Sequence, residues 1–222
     1  MTAETLLAFC LFAWVSSITP GPNNLMVLSS GVNFGFRASL PHVLGIAIGF
    51  GVMLVAVGLG LAALFEQWPL LYGVLKLVGA AYLLWLAWGL ARSGTLNLAG
   101  AGAPRPMGFL AAAAFQWVNP KAWVMAISAF ATYVQARSLW PVLVAAGVFA
   151  LINLPSVAAW ALCGSRLREV LARPARQRLF NRGMAALLVL SLLPLLIEPG
   201  PDDAPATVAP TERSGANAQF AT

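Results

Sequence analysis

Apolar residues in this chain run almost unbroken for about 20 positions at a time, the length an α-helix needs to cross a bilayer. Hydrophobic residues make up 60% of the 222 and charged residues only 9%, where a soluble domain carries roughly 25% charged residues. No water-facing surface could be covered with that composition. Together these two facts exclude a soluble globular domain and leave an all-α membrane protein, because a helix satisfies its own backbone groups inside lipid.

Six apolar runs can be drawn, over residues 5–30, 40–65, 68–91, 108–133, 140–164 and 183–197. They define one membrane domain, 1–197. The remainder, 198–222, changes to Pro, Ala, Asp, Thr and Ser, a composition that buries too little apolar surface to offset its ordering entropy and so reads as a disordered tail. The connectors comprise 33–39, 66–67, the Gly/Pro-rich 93–107, 135–138 and the arginine-dense 165–182.

Basic residues are retained on the cytoplasmic side of a bilayer. Connectors after runs one, three and five hold nine arginines, at Arg37, Arg92, Arg105, Arg166, Arg168, Arg173, Arg176, Arg178 and Arg182, against Arg137 and Arg213 on the other side. That bias puts both termini in the periplasm. The first run opens with Glu4 as its only charge, so it reads as a span and not as a removed leader. Three spans per half make the halves run in opposite directions, the arrangement of two inverted three-helix repeats.

Matching spans of the two halves carry matching interruptions. Span one holds Thr19-Pro20-Gly21-Pro22-Asn23-Asn24, and span four holds Asn119-Pro120-Lys121. Each predicts a fresh helix start, with Thr19 or Asn119 as N-cap and the proline at the first helical position, where its missing N–H costs nothing. Half-helix amides at Asn23, Asn24, Ala122 and Trp123 would then present the positive end of a dipole to a ligand. Irregular backbone at membrane depth requires protein or a water-filled cavity to satisfy it. A cavity between spans one and four is the simplest such arrangement.

Lys121 lies at the centre of span four and Lys76 near the centre of span three. A charged lysine there costs about 2.5–3.5 kcal/mol, so it is expected to face an internal cavity. No Asp or Glu occupies a span interior, and an amino-acid carboxylate would supply the missing negative charge. Asn153, with Pro155, falls at mid-span five, where a cavity lining and a packed kink are equally good readings. Gly45 and Gly49 form a small-residue face that reads as a close helix contact before it reads as a homo-oligomer seam. His42 is expected at the membrane interface. Trp68, Trp140 and Trp160 are expected as belt or packing aromatics.

Other classes fit less well. A net charge of +6 is carried by connector arginines and not by a basic face interleaved with aromatics, which excludes nucleic acid as a partner. Two cysteines and one histidine cannot build a disulfide scaffold or a zinc centre, so no cofactor is expected. A divalent-cation exporter would need acidic or histidine-rich sites at depth. A membrane thiol oxidoreductase would need two cysteines able to meet, and Cys10 and Cys163 fall at opposite ends of their spans. A hydrolase would need a general base beside Ser16, Ser17 or Thr19, so the chain is not expected to be an enzyme.

The motifs above, followed by Gly35-Phe36-Arg37, Gly45-Ile46-Ala47-Ile48-Gly49 and Leu75-Lys76-Leu77-Val78-Gly79-Ala80-Ala81-Tyr82-Leu83, stand in an order and spacing that resembles the LysE/RhtB family of bacterial amino-acid exporters. The resemblance reaches to about residue 197. It implies a six-span inner-membrane exporter of amino acids or small derivatives, with protons as the coupling ion. The Pro-rich tail is outside the family pattern.

Overall fold

The computed structural model of the protein describes residues 2–61, 63, 67–92, 106–134, 138–171 and 173–193. Every regular element among them is helical: α1 (Ala3–Ile18), α2 (Pro22–Phe34), α3 (Phe36–Ala56, continued by a π-helical turn Val57–Leu61), α4 (Pro69–Arg92), α5 (Phe109–Phe115, continued by a 3-10 turn Gln116–Val118), α6 (Pro120–Tyr133), α7 (Leu139–Val170) and α8 (Pro174–Leu190). The tail 198–222, and Arg105, Arg137 and Arg213 of the charge count, lie outside the described residues.

Three helices, Phe36–Leu61, Gly73–Arg92 and Leu139–Val170, are long and apolar enough to cross a bilayer, with mean hydropathies of 2.4, 1.7 and 2.1. Helices α1 and α2, bent by 53° at their junction, are together long and apolar enough to make a fourth if the bent pair is one span. The outward surface is the apolar one: Leu70, Leu77, Leu110, Trp140, Leu151 and Leu179 are each more than 70% exposed. A water-soluble protein does not present such a belt. This is a multi-pass membrane protein.

Two boundaries differ from the sequence reading, and both for the same reason. The arginine-dense 165–182 is not a connector, because α7 runs on to Val170 and α8 starts at Pro174. Consequently the sixth helix, Pro174–Leu190, starts well before the expected 183, and residues 194–197 of the expected run lie outside the described residues. Arginine is a good helix former, so the helices continue past the apolar region and hydropathy alone misplaces their ends. The expected connector 33–39 likewise shrinks to Gly35, whose φ of 85° turns the chain directly from α2 into α3, a conformation costly for any residue with a Cβ.

Helix contacts rest on small residues. A Cβ on Gly45 would lie 2.3 Å from the Phe109 carbonyl oxygen, and one on Gly49 would lie 2.5 Å from Ala113 Cα. The expected glycine face on α3 is therefore a tight crossing with α5. Gly31 of α2 and Gly164 of α7 meet in the same way, each 2.2 Å in Cβ position from a carbonyl of the other helix. An aromatic cluster fills the space between α1, α3 and α7, with Phe149 edge-on to Phe9 at 5.8 Å and to Phe50 at 5.2 Å. Leu25, Leu83, Phe115 and Leu188 close a second core between α2, α4, α5 and α8.

Candidate functional site

Both expected interruptions are present, and they touch. A helical N–H at position i bonds the carbonyl at i−4, so Pro20 and Pro22 leave the carbonyls of Ser16 and Ile18 without their usual donors, and Pro120 does the same to Gln116. Buried main-chain carbonyls must find substitutes. At the first break the substitutes are side chains. Thr19 Oγ1 donates chiefly to Val15 O, with Ser16 O a more distant second acceptor at 3.3 Å, while Asn24 Nδ2 donates to Ser17 O and Thr19 O at 2.8 Å each and Trp160 Nε1 to Ile18 O at 3.1 Å. Lys121 Nζ donates to Thr19 O at 2.6 Å and to Pro20 O at 3.4 Å.

The second break is closed from within. Asn119 N donates to Gln116 O at 3.3 Å, Trp123 Nε1 donates to Trp117 O at 2.9 Å, and Asn119 Oδ1 accepts from Lys121 N at 3.2 Å. Gly79 of α4 lies against the remaining carbonyl, where a Cβ would sit 2.1 Å from Val118 O. A reciprocal amide pair then ties the two breaks together: Asn23 Nδ2 donates to Gln116 Oε1 at 2.8 Å and Gln116 Nε2 donates to Asn23 Oδ1 at 3.2 Å.

A small cavity, partly open to the outside, lies between the breaks. Its wall contains Gly21, Asn23, Asn24, Asn119, Lys121 and Asn153 of the sequence-derived set, together with Ser16, Ser17, Phe50, Ala122, Met125 and Val157. None of these residues is a carboxylate. Thr19 and Pro20 contribute through the carbonyls that hold Lys121, and Pro22 and Pro120 occupy the first turn of their helices. Lys76 is half-buried on α4 and does not line the cavity.

Several local expectations require correction. Thr19 is not an N-cap; it is the C-cap of α1, and α2 is capped by Gly21 with no side-chain bond. The reason is Pro22, which sets the helix start two residues later than Pro20 would. The amides of Ala122 and Trp123 are not presented to a ligand, because both bond Asn119 O, at 3.0 and 3.3 Å. His42 is packed among the helices, 1% exposed, with Nδ1 3.0 Å from Ser30 Oγ. Trp160 is more than a packing aromatic, since its indole serves the first break. The side chain of Gln116, fully buried, was missed; a polar residue three positions before Asn-Pro inside an apolar run was the available signal. Cys10 and Cys163 are both free thiols.

Chemically the site offers one ammonium group, several amides and hydroxyls, and an apolar floor of Phe50, Met125 and Val157. It suits reversible binding of a small polar anion or zwitterion.

Comparison with known proteins points the same way. Residues 14–198 match the family described as LysE type translocator. The chain is 35% identical over 207 residues to the cysteine/O-acetylserine efflux protein of Klebsiella pneumoniae, covering 89% of this chain and 100% of that protein. It is also 35% identical over 192 residues to proteins of the same description from Salmonella typhimurium and Escherichia coli K12, with 85% of this chain and 96% of each relative covered. No solved structure matches the chain.

Proposed function

This chain belongs to the LysE type translocator family, and on that premise we propose that it exports small neutral amino acids or their derivatives across the bacterial inner membrane, with protons as the coupling ion. The observation that carries the reading is the cavity between two broken helices, with Lys121 in its wall and no carboxylate beside it. The substrate's carboxylate is the counter-charge that completes the site. At the first turn of α2, Gly21 offers no side-chain cap, which leaves that helix end to be met by the same carboxylate.

Neutrality follows from the walls, because a second cationic group, as in lysine, would meet no acidic partner among the residues that line the cavity. Relatives described as exporting cysteine and O-acetylserine handle substrates of this kind. Six spans are the arrangement we adopt: the four apolar spans above, the broken α5–α6 segment, and α8. Two inverted repeats pair α1–α2 with α5–α6, α3 with α7 and α4 with α8. The paired breaks support this, and the arginine bias supports periplasmic termini.

Everted membrane vesicles containing the protein test the proposal. Cysteine, O-acetylserine and serine are expected to accumulate inside, lysine is not, and a protonophore should abolish the accumulation. Lys121→Met removes a charge-assisted hydrogen bond, so apparent affinity should fall by roughly 10- to 150-fold at unchanged membrane level, since the substitution makes the segment more apolar. Unchanged transport by that variant, or preferred transport of lysine, refutes the reading.

A further inference from the structure

Asn153 stands near the middle of α7 and is 5% exposed. Its amide is used at one end only: Nδ2 donates to Ser17 Oγ at 3.1 Å, while Oδ1 is closed off from solvent and has no partner among the described residues. Buried acceptors in native structures are almost always met, and an exception calls for a reason. The only other such atom among the described residues is His42 Nε2, on a residue that does not line the cavity; Asn153 does line it.

Neighbouring amides of the wall are engaged at one end or both. Asn24 Nδ2 holds the first break, Asn23 is paired with Gln116, and Asn119 Oδ1 caps α6. The wall therefore combines an ammonium donor, Lys121, with an unmet oxygen acceptor on a different helix. An amide oxygen repels a carboxylate and accepts strongly from a cation, because a charged donor makes the stronger hydrogen bond. With no acidic side chain in the wall, a substrate cation has only amide, hydroxyl and main-chain oxygens to meet.

Resting on the exporter reading above, we propose that Asn153 Oδ1 receives the α-ammonium of the substrate while Lys121 receives its carboxylate. The pair would select molecules that carry both charges, and reject a simple carboxylic acid or a simple amine. Ser17 acts as the positioning residue, since its hydroxyl oxygen accepts from Nδ2 and so fixes which end of the amide is left for the ligand.

Three thiols of graded structure decide the matter: cysteine, 3-mercaptopropionate, which lacks the amine, and cysteamine, which lacks the carboxylate. The full-length protein in proteoliposomes takes up labelled cysteine under reducing conditions, and each thiol is scored as a competitor. Against the parent protein both truncated thiols should compete at least about 10-fold more weakly than cysteine, and an equal competitor among them overturns the proposal. Asn153→Leu should weaken cysteine by roughly 10- to 150-fold and leave 3-mercaptopropionate within about 2-fold, because only the amine has lost its partner. Equal weakening of both, or no weakening of cysteine, overturns the assignment. Asn153→Asp keeps the volume and an acceptor, and serves if the Leu variant fails to accumulate. It should retain cysteine and weaken 3-mercaptopropionate by at least about 10-fold, through repulsion of an amine-free anion; equal treatment of the two counts against the proposal. Should the inserted parent protein take up no amino acid at all, the exporter reading fails first, a result visible before any variant is made.

Discussion

At the break between α5 and α6 the chain supplies its own donors, whereas at the break between α1 and α2 the carbonyls of Ile18, Thr19 and Pro20 draw theirs from α7, α2 and α6. Asn119, Trp123 and the main chain close the former within eight residues. Asn24 serves the latter from five and seven residues on in the same segment, while Trp160 and Lys121 reach it from 142 and 102 residues away. A self-capped break is a local fold and persists whatever its neighbours do. A break that needs distant side chains is conditional on tertiary contacts. On the proposed reading, a substrate that draws Lys121 toward itself would also withdraw a donor from Thr19 and Pro20, which would link binding to the bend between α1 and α2.

The largest effect should come from removing the donor most deeply committed to the conditional break. Asn24, 3% exposed, bonds both Ser17 O and Thr19 O. Asn24→Leu strands the Ser17 carbonyl, at about 1–3 kcal/mol, and deletes a second bond worth about 0.5–1.5 kcal/mol while Lys121 still serves Thr19. Thermal melting in detergent should show the largest loss of stability among the variants compared. A variant melting with the parent would mean that the first break does not depend on Asn24.

What could be read in advance divides along the same line. Pro20, Pro22 and Pro120 act on their own segment, so both interruptions were legible, and so was the Asn119 cap, which bonds a neighbour two residues on. Gly45 and Gly49 were legible because a small-residue face allows close approach whichever helix comes against it. The role of Trp160 was not, since nothing near position 160 says that its indole will meet Ile18 on another helix. The start of α2 was placed at the wrong proline because two prolines stand two residues apart and only the packed structure chooses between them. Lys76 was grouped with Lys121 by depth alone, and depth does not say which side of a helix faces the cavity. Position near a span end bears on the depth of His42 and not on its surroundings, and only the packed structure shows its ring against Ser30 of α2.

The self-contained break should tolerate loss of its one side-chain cap. Asn119→Ala removes the bond from Lys121 N to Oδ1, a loss of about 1 kcal/mol by the usual cost of an N-cap. The main-chain bonds from Ala122 and Trp123 to Asn119 O are unaffected, and Pro120 still pre-sets the helix. Melting should therefore fall by less than for Asn24→Leu. If the two variants rank the other way, the cap at Asn119 and not the double bond from Asn24 is the side chain on which a break depends more.

The smallest change in stability is expected where the two breaks meet. Gly21 has φ −173° and ψ 176°, extended backbone that alanine adopts freely, so Gly21→Ala carries no backbone strain. Its new Cβ would lie 2.6 Å from Lys121 Cδ and 3.2 Å from Lys121 Nζ, and the lysine stem must move aside. Shifting one flexible side chain costs roughly 0.5–1.5 kcal/mol, at the lower end where rotamers are free to adjust. Melting should hardly change, while the ammonium is drawn from the Thr19 and Pro20 carbonyls and apparent affinity for the transported amino acid falls several-fold. Repeating the substitution in the Lys121→Met background separates the causes. If Gly21 matters because it leaves room for the lysine, the second substitution adds little to the first, as two changes to one interaction should. If the losses multiply, the space beside Gly21 is taken by the substrate itself, and the coupling of the two breaks through Lys121 must be given up.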